Sequence, residues 1–444
     1  MAPTPGTNFL SQTLPSDSPA GTQRAALAVV TTLFFMWGFV TVLNDVLVPH
    51  LKSIFDLNYT RVMLIQFAFF SAYFIFSVPS ARLIDWIGYK KTMVMGLLTM
   101  GLGALFFIPA ASAPSYPLFL GALMVLAAGI TALQVAANPY VAVLGPPETA
   151  SSRLNLAQAF NSLGTTIGPY LGGALILTAI PQRMEAVRQM SPEALQAYRV
   201  HEASSVKMPY LVIGLALIVL GGLVMLFKLP PMPSIERHSR DADTGKRLWS
   251  HRPLLLGTIG IFVYVGAEVA IGSFLINYFS QGDIGNLTSA VAARYVAYYW
   301  GGAMVGRFIG SAILQRLRTG LVLGVAALSA AALVCVSMLT FGHLAMWSII
   351  LVGFFNSVMF PSIFTLGIAG LGPLTGDGSG LLVMAIVGGA IIPVAQGALA
   401  DRIGIHHAFV LPVVCYCYIV FYAFKGSRPA SPARAPRKGA HVIG

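Results

Sequence analysis

The sequence predicts an all-α membrane protein of twelve transmembrane helices in two six-helix lobes, with both termini cytoplasmic. Three observations carry that expectation. Of the 444 residues 56% are hydrophobic and only 9% charged, with a mean hydropathy of +0.77; soluble domains are about half apolar and a quarter charged. The apolar residues fall in blocks of about 20 to 27, the length that about 30 Å of hydrocarbon demands at about 1.5 Å per residue. Lys and Arg gather in alternate connections, as the positive-inside rule requires. A β-barrel would instead show segments of about ten residues alternating apolar and polar, and none recurs here. Inside lipid the backbone polar groups must then be satisfied within helices.

Taken in order, the spans are expected near 25–49, 62–83, 91–111, 116–143, 154–180, 208–229, 253–280, 290–315, 319–341, 344–370, 378–400 and 406–425. With the N-terminus inside, the inner connections hold Arg82, Lys90, Lys91, Arg153, the cluster Lys228 to Arg252, Arg316, Arg318 and the tail from Lys425. The outer ones hold fewer cations, and Arg307 falls within the eighth span. The longest charged break divides the chain six spans from six. The expected units are a disordered cytoplasmic tail 1–24, an N-terminal lobe 25–229, a cytoplasmic linker 230–252, a C-terminal lobe 253–425 and a basic tail 426–444. No basic residue precedes Arg24, so the first helix is expected to be an uncleaved anchor. Leu144-Gly145-Pro146 before the fifth span is echoed by Leu371-Gly372-Pro373 before the eleventh, the pattern that parallel repeats leave.

The net charge of +12 does not indicate a nucleic-acid partner, because the cations sit in short connections and tails rather than in one patch with interleaved aromatics. Cys335, Cys415 and Cys417 lie in apolar surroundings with no metal-ligand spacing. Neither a P-loop, HExxH nor GxSxG occurs. The chain is therefore expected to be no enzyme, to need no cofactor and no metal, and to work as a monomer in contact with lipid.

Among the acidic residues only Asp45 and Glu268 fall well inside apolar segments. A carboxylate in hydrocarbon costs at least about 2.5 to 3.5 kcal/mol, so such a group normally faces a water-filled cavity and titrates or pairs; both are proton-coupling candidates. Uncharged polar residues form a second set. Gln134 and Asn138 share one helix face at a spacing of four, and Gln158 and Asn161 at a spacing of three. Such amides suit sugar hydroxyls and equally suit helix-to-helix bonds worth about 0.6 to 2 kcal/mol apiece. Asn44, Gln66, Trp37, Tyr264, Asn277 and Asn356 complete the binding candidates, with Trp300 beside them. Between the second and third spans, Asp85, Gly88, Lys90 and Lys91 mark a tight charged connection suited to a gating latch or to anionic headgroups. Asp401-Arg402-Ile403-Gly404 echoes it on the outer side by this count.

The charged connection and the six-plus-six layout resemble the major facilitator superfamily. More specific segments are Phe34-Phe35-Met36-Trp37-Gly38 leading to Leu43-Asn44-Asp45, then Leu133 to Tyr140, then Arg153 to Ser162. These are similar to the fucose/galactose/glucose:proton symporter family, over essentially all twelve spans. Fucose-type members carry glutamate where this chain has Gln134, and glutamine where it has Glu268; Tyr264-Val265-Gly266-Ala267-Glu268 resembles the glucose/galactose branch. The resemblance implies uptake of a hexose, glucose or galactose rather than L-fucose, with a proton as the coupling ion of the bacterial symporters and sodium as that of other members of the family. It also implies a proton-handling role for Asp45 and sugar contacts at Gln158 and Asn161. A sodium-coupled symporter, an exporter and a non-transporting sugar sensor are the alternatives on the same fold.

Overall fold

A computed structural model describes residues 20–55, 59–176, 190–232 and 248–428. The tail before Ala20, the middle of the linker and the tail beyond Arg428 lie outside the described residues. The apolar blocks become helices, α1 (Ala20–Phe55), α2 (Tyr59–Ser112), α3 (Tyr116–Val143) and α4 (Ala150–Ile176); the polar stretch in the expected connection after the fifth span forms α5 (Pro192–Ser204), and α6 (Lys207–Leu226) follows. After the linker come α7 (Arg252–Phe279), α8 (Ser289–Ile313), α9 (Thr319–Leu339), α10 (Gly342–Asn356) and α11 (Met359–Ile368). The chain ends in α12 (Thr375–Met384), α13 (Gly388–Ile403), α14 (Ile405–Ala408) and α15 (Val410–Phe421). Among the described residues nine helical stretches are long and apolar enough to cross a membrane. Helices α4 and α8 are not among them, and these two carry Gln158, Asn161 and Arg307.

The charged connection expected between the second and third spans is a break inside one long helix. At Gly88 the backbone takes φ 80° and ψ 165°, a region that glycine enters without a Cβ penalty. Gly404 takes φ 82° and ψ 154°. Asp85-Trp86-Ile87-Gly88 and Asp401-Arg402-Ile403-Gly404 therefore share a backbone as well as a spelling. The expected tenth span is also interrupted, since α10 gives way to α11 just after Asn356. Interrupted helices at membrane depth are tolerated where the freed backbone is buried in protein or lines a cavity.

Two sets of helices pack separately: α1 on α4 and α2 on α3 and α6 in one, α7 on α13, α11 and α15 and α10 on α8 and α9 in the other. Between the sets α4 meets α8 and α11, and α12 meets α2 and α3. These crossings gather at the end that holds Gly88 and the 144–149 turn, the predicted inner end. Ser152 Oγ donates to Ser311 O at 2.7 Å and Ser311 Oγ returns a bond to Ser152 O at 3.0 Å. Ser151 Oγ lies 2.9 Å from Thr319 Oγ1 and 2.5 Å from Thr365 Oγ1. Ser379 Oγ on α12 donates to Val135 O on α3 at 2.7 Å. Short hydroxyls bring the backbones close and satisfy their own polar atoms without a charge.

Candidate functional site

The predicted amide pairs sit where their spacing places them. On α3, Gln134 and Asn138 are buried on one face. Gln134 Nε2 donates to Tyr73 Oη at 2.7 Å, which ties α3 to α2. Asn138 is fully buried, and neither its Oδ1 nor its Nδ2 has a hydrogen-bond partner. On α4, Gln158 and Asn161 are also buried. Asn161 Nδ2 donates to Phe34 O on α1 at 3.0 Å, while Gln158 Nε2 is without a partner. Trp37 is buried one turn on, its ring 5.1 Å from that of Phe34.

Gly38 explains how Asn161 reaches that position. A Cβ at Gly38 would collide with the backbone oxygen and the amide nitrogen of Asn161, so only glycine lets α1 and α4 approach this closely. Gly38→Ala should therefore displace Asn161 and weaken binding of any ligand held there about tenfold or more, the effect of losing about 1.4 kcal/mol. Binding to the purified variant by tryptophan fluorescence or calorimetry checks it.

On the other side Tyr264 and Glu268 lie one turn apart on α7. Asn356, at the break between α10 and α11, gathers three tyrosines. Its Nδ2 donates to Tyr299 Oη at 2.9 Å, its Oδ1 accepts from Tyr416 Oη at 2.8 Å, and its carbonyl accepts from Tyr264 Oη at 3.1 Å. Tyr299 Oη, held by Asn356, points on to Glu268 O at 3.4 Å. The side-chain amide of Asn356 is thus committed to the protein framework. Glu268 is half-buried, and its Oε1 is sealed from solvent with no partner.

Arg307 on α8 spans the boundary. Its guanidinium donates to Gln158 O at 3.4 Å and to Ser162 Oγ on α4, and its Nε is buried without a partner. Its carbonyl in turn accepts from Asn155 Nδ2 at 2.6 Å. Gln158, Ser162 and Arg307 are brought together across the two sets of helices. A buried polar atom left unpaired costs about 1–3 kcal/mol, so several in one region point to a surface that expects polar company.

Other candidates stand apart. Asn277 is exposed, more than two turns beyond Glu268 on α7, and Trp300 is exposed on α8. Gln66 is half-buried on α2, two turns before Tyr73. Asn44 and Asp45 fall on α1 in a stretch whose side chains lie outside the described residues. At the predicted inner end, Lys90 Nζ donates to Met225 O at 2.7 Å, a cation on the free carbonyls of a helix C-terminus. Lys91 and Asp85 are exposed, while Ile84 and Tyr89 beside Gly88 lie against Gly376 of the opposite set. That places the 84–91 connection at the boundary between the two sets of helices. Among the described residues no cluster of His, Cys, Asp and Glu suits a metal ion.

The sequence reading missed Tyr73, Tyr299, Tyr416 and Ser162. The tyrosines are spread through apolar helices where an aromatic ring is ordinary packing, and no spacing marks them. That reading did not single out Arg307 either, although a cation inside a span, a position that is expensive unless it faces a cavity or a partner, is a signal that could have found it.

The description Major Facilitator Superfamily matches residues 26–386. The glucose/galactose transporter of Brucella abortus is 51% identical over 426 residues, 94% of this chain and 100% of the relative. The L-fucose-proton symporter of Escherichia coli is 37% identical over 426 residues, 94% of this chain and 97% of that one. A crystal structure of the transporter FucP in the outward conformation is similar at a TM-score of 0.85 and 36% identity, covering 90% of this chain and 98% of that one.

Proposed function

This chain belongs to the major facilitator superfamily, in the group that holds the glucose/galactose transporters and L-fucose-proton symporters, and from that premise we propose a proton-driven importer of an aldohexose. It is a multi-pass protein of the bacterial inner membrane. Twelve spans in two lobes, termini inside, rock about a central site, and sugar enters from one face and leaves from the other. The observation that carries this is a set of unpaired buried polar groups on four helices: amides at Asn138 on α3 and Gln158 on α4, the carboxylate of Glu268 on α7 and the guanidinium Nε of Arg307 on α8. A polyol matches such a surface, since each hydroxyl donates and accepts. An exporter of apolar compounds would want rings there.

Glucose or galactose fits better than L-fucose because Gln134 is spent on Tyr73 rather than carrying a charge, and because the carboxylate stands at Glu268. Proton coupling is supported by Glu268 and by the E. coli relative's name. Protonation of Asp45 and Glu268 would neutralise the cavity and lower the cost of the occluded state, so the gradient biases which face loads sugar. Closure at the predicted inner end and the likeness to the outward conformation support an outward-facing state here.

Counterflow tests the substrate class. Proteoliposomes preloaded with unlabelled glucose should take up labelled glucose and galactose by exchange and L-fucose far more slowly. Equal exchange of L-fucose would reassign the substrate, and exchange of no sugar would turn the reading toward an exporter or a sensor.

A further inference from the structure

Helix α2 has two faces of opposite character. Gln66, Tyr73 and Ser77 fall on one, where Tyr73 meets Gln134 of α3. Leu64, Phe67, Ser71, Phe74 and Ile75 fall on the other at helical spacing, and all but Ser71 are exposed. Helix α7 repeats the division, with Tyr264 and Glu268 on one face and Ile259 and Phe262 on the other. The two apolar faces bound one groove of about 850 Å³. Phe67, Phe74 and Ile75 of α2 with Met124 of α3 line one wall, and Phe262 of α7 with Ile391 of α13 line the other. Hydroxyls reach it only from Ser71 and Thr258, and Thr258 Oγ1 is spent on Leu254 O at 2.9 Å. Beside the groove Phe70 of α2 packs on Gly389 of α13, where a Cβ would crowd its ring. The groove thus lies on the far side of α2 and α7 from Gln134 and Glu268.

We infer that this groove is the seat of one acyl chain from a lipid of the surrounding bilayer, lodged between the two sets of helices. Protein interiors are close-packed, with few voids larger than a water molecule, so a space of about 850 Å³ walled by rings and branched side chains has room for a guest. Apolar cavities stay dry and take apolar guests. The mouth is continuous with the surface that meets lipid: Leu64–Ser112, Arg252–Phe279 and Gly372–Ile403, which hold most of the lining, are each long and apolar enough to cross the membrane. From Leu64 to Ile75 the wall on α2 rises about 16 Å at about 1.5 Å per residue. That is half of the about 30 Å of hydrocarbon, the depth that one chain of one leaflet fills. None of the described residues that line the groove is charged, so what is recognised is the chain and not the headgroup. The two walls belong to different sets of helices, so a seated chain touches both, and the seat keeps this shape only while α2, α7 and α13 keep their present spacing.

The test uses the full-length protein in phosphatidylcholine nanodiscs doped with a phosphatidylcholine that carries a photoreactive diazirine in one acyl chain, with no sugar present. After illumination, peptide mass spectrometry maps the labelled residues. Labelling at Phe67, Phe74, Phe262 and Ile391 should saturate at a low mole fraction of probe. It should also exceed several-fold the labelling of Val212, Leu215 and Val219, which are as exposed on α6 but line no groove. Saturation separates a seat from passing lipid, whose labelling rises in proportion to the probe. Ala68→Trp sets an indole in the groove and should cut labelling at Phe262 and Ile391 several-fold while leaving α6 unchanged. Ser71→Phe fills the same space more gently and replaces it if the first variant does not fold. Labelling that matches α6 and never saturates overturns the proposal. Labelling far below that of α6 overturns it too, because the groove would then be covered by protein, a second copy of this chain included. Saturable labelling that a folded filling variant leaves unchanged puts the chain elsewhere and equally overturns it.

Discussion

Glu268→Gln should abolish uphill sugar uptake while leaving exchange of sugar for sugar within a few-fold of the parent. The change is nearly isosteric. It removes the one property that matters for coupling, the ability to carry a proton in one state and a charge in the other. For a carrier that moves one proton per sugar, each unit of pH gradient supplies about 1.4 kcal/mol, or about tenfold in accumulation. In the variant that factor disappears, and internal sugar should level off at the external concentration. Counterflow needs no net proton movement, so it separates a coupling residue from a binding residue. Asp45→Asn is expected to behave the same way. Concentrative uptake that survives both substitutions contradicts the assignment.

Asn138→Leu should weaken sugar binding at least about tenfold and leave the empty protein as stable as before or more so. Both amide atoms of Asn138 are buried and unpaired. Such an arrangement costs about 1–3 kcal/mol in the empty protein, so replacing the amide by an apolar group of the same branched shape relieves that cost. Losing a hydrogen bond to a hydroxyl in a dry site weakens binding by a similar amount. Opposite movements of thermal stability and affinity are the signature of a site that keeps strain for its ligand. Gln134→Leu gives the contrast, because Gln134 Nε2 is bonded to Tyr73 Oη at 2.7 Å and its loss orphans that hydroxyl. That variant should lose stability. Thermal unfolding of both variants with and without sugar checks the pair, and unchanged affinity in Asn138→Leu would remove it from the site.

Much of this was legible before any coordinates. Hydrophobic block lengths are fixed by the thickness of lipid, and the two amide pairs follow from helical spacing alone, so α3 and α4 and their four amides were readable. Glu268 announced itself because a carboxylate in an apolar run is rarely accidental. Other features depend on which helices meet. Asn356 looked like a sugar contact, but the tyrosines of α7, α8 and α15 converge on it and occupy its amide. Nothing in the spelling of Ser162 or Arg307 says that they face one another across 145 residues of chain. Gly88 and Gly404 lie between these cases: their matching tetrapeptides were visible, while the matching backbone break needed φ and ψ.

The central claim is that a proton gradient drives hexose into the compartment. The direct measurement is uptake of labelled glucose and galactose into proteoliposomes under an inward proton gradient, a sodium gradient or neither. Accumulation above the external concentration with the proton gradient alone, collapsed by a protonophore, is the predicted result. Accumulation that follows sodium would contradict proton coupling and turn Asp45 and Glu268 into cation ligands, and no sugar flux under any gradient would contradict the account as a whole.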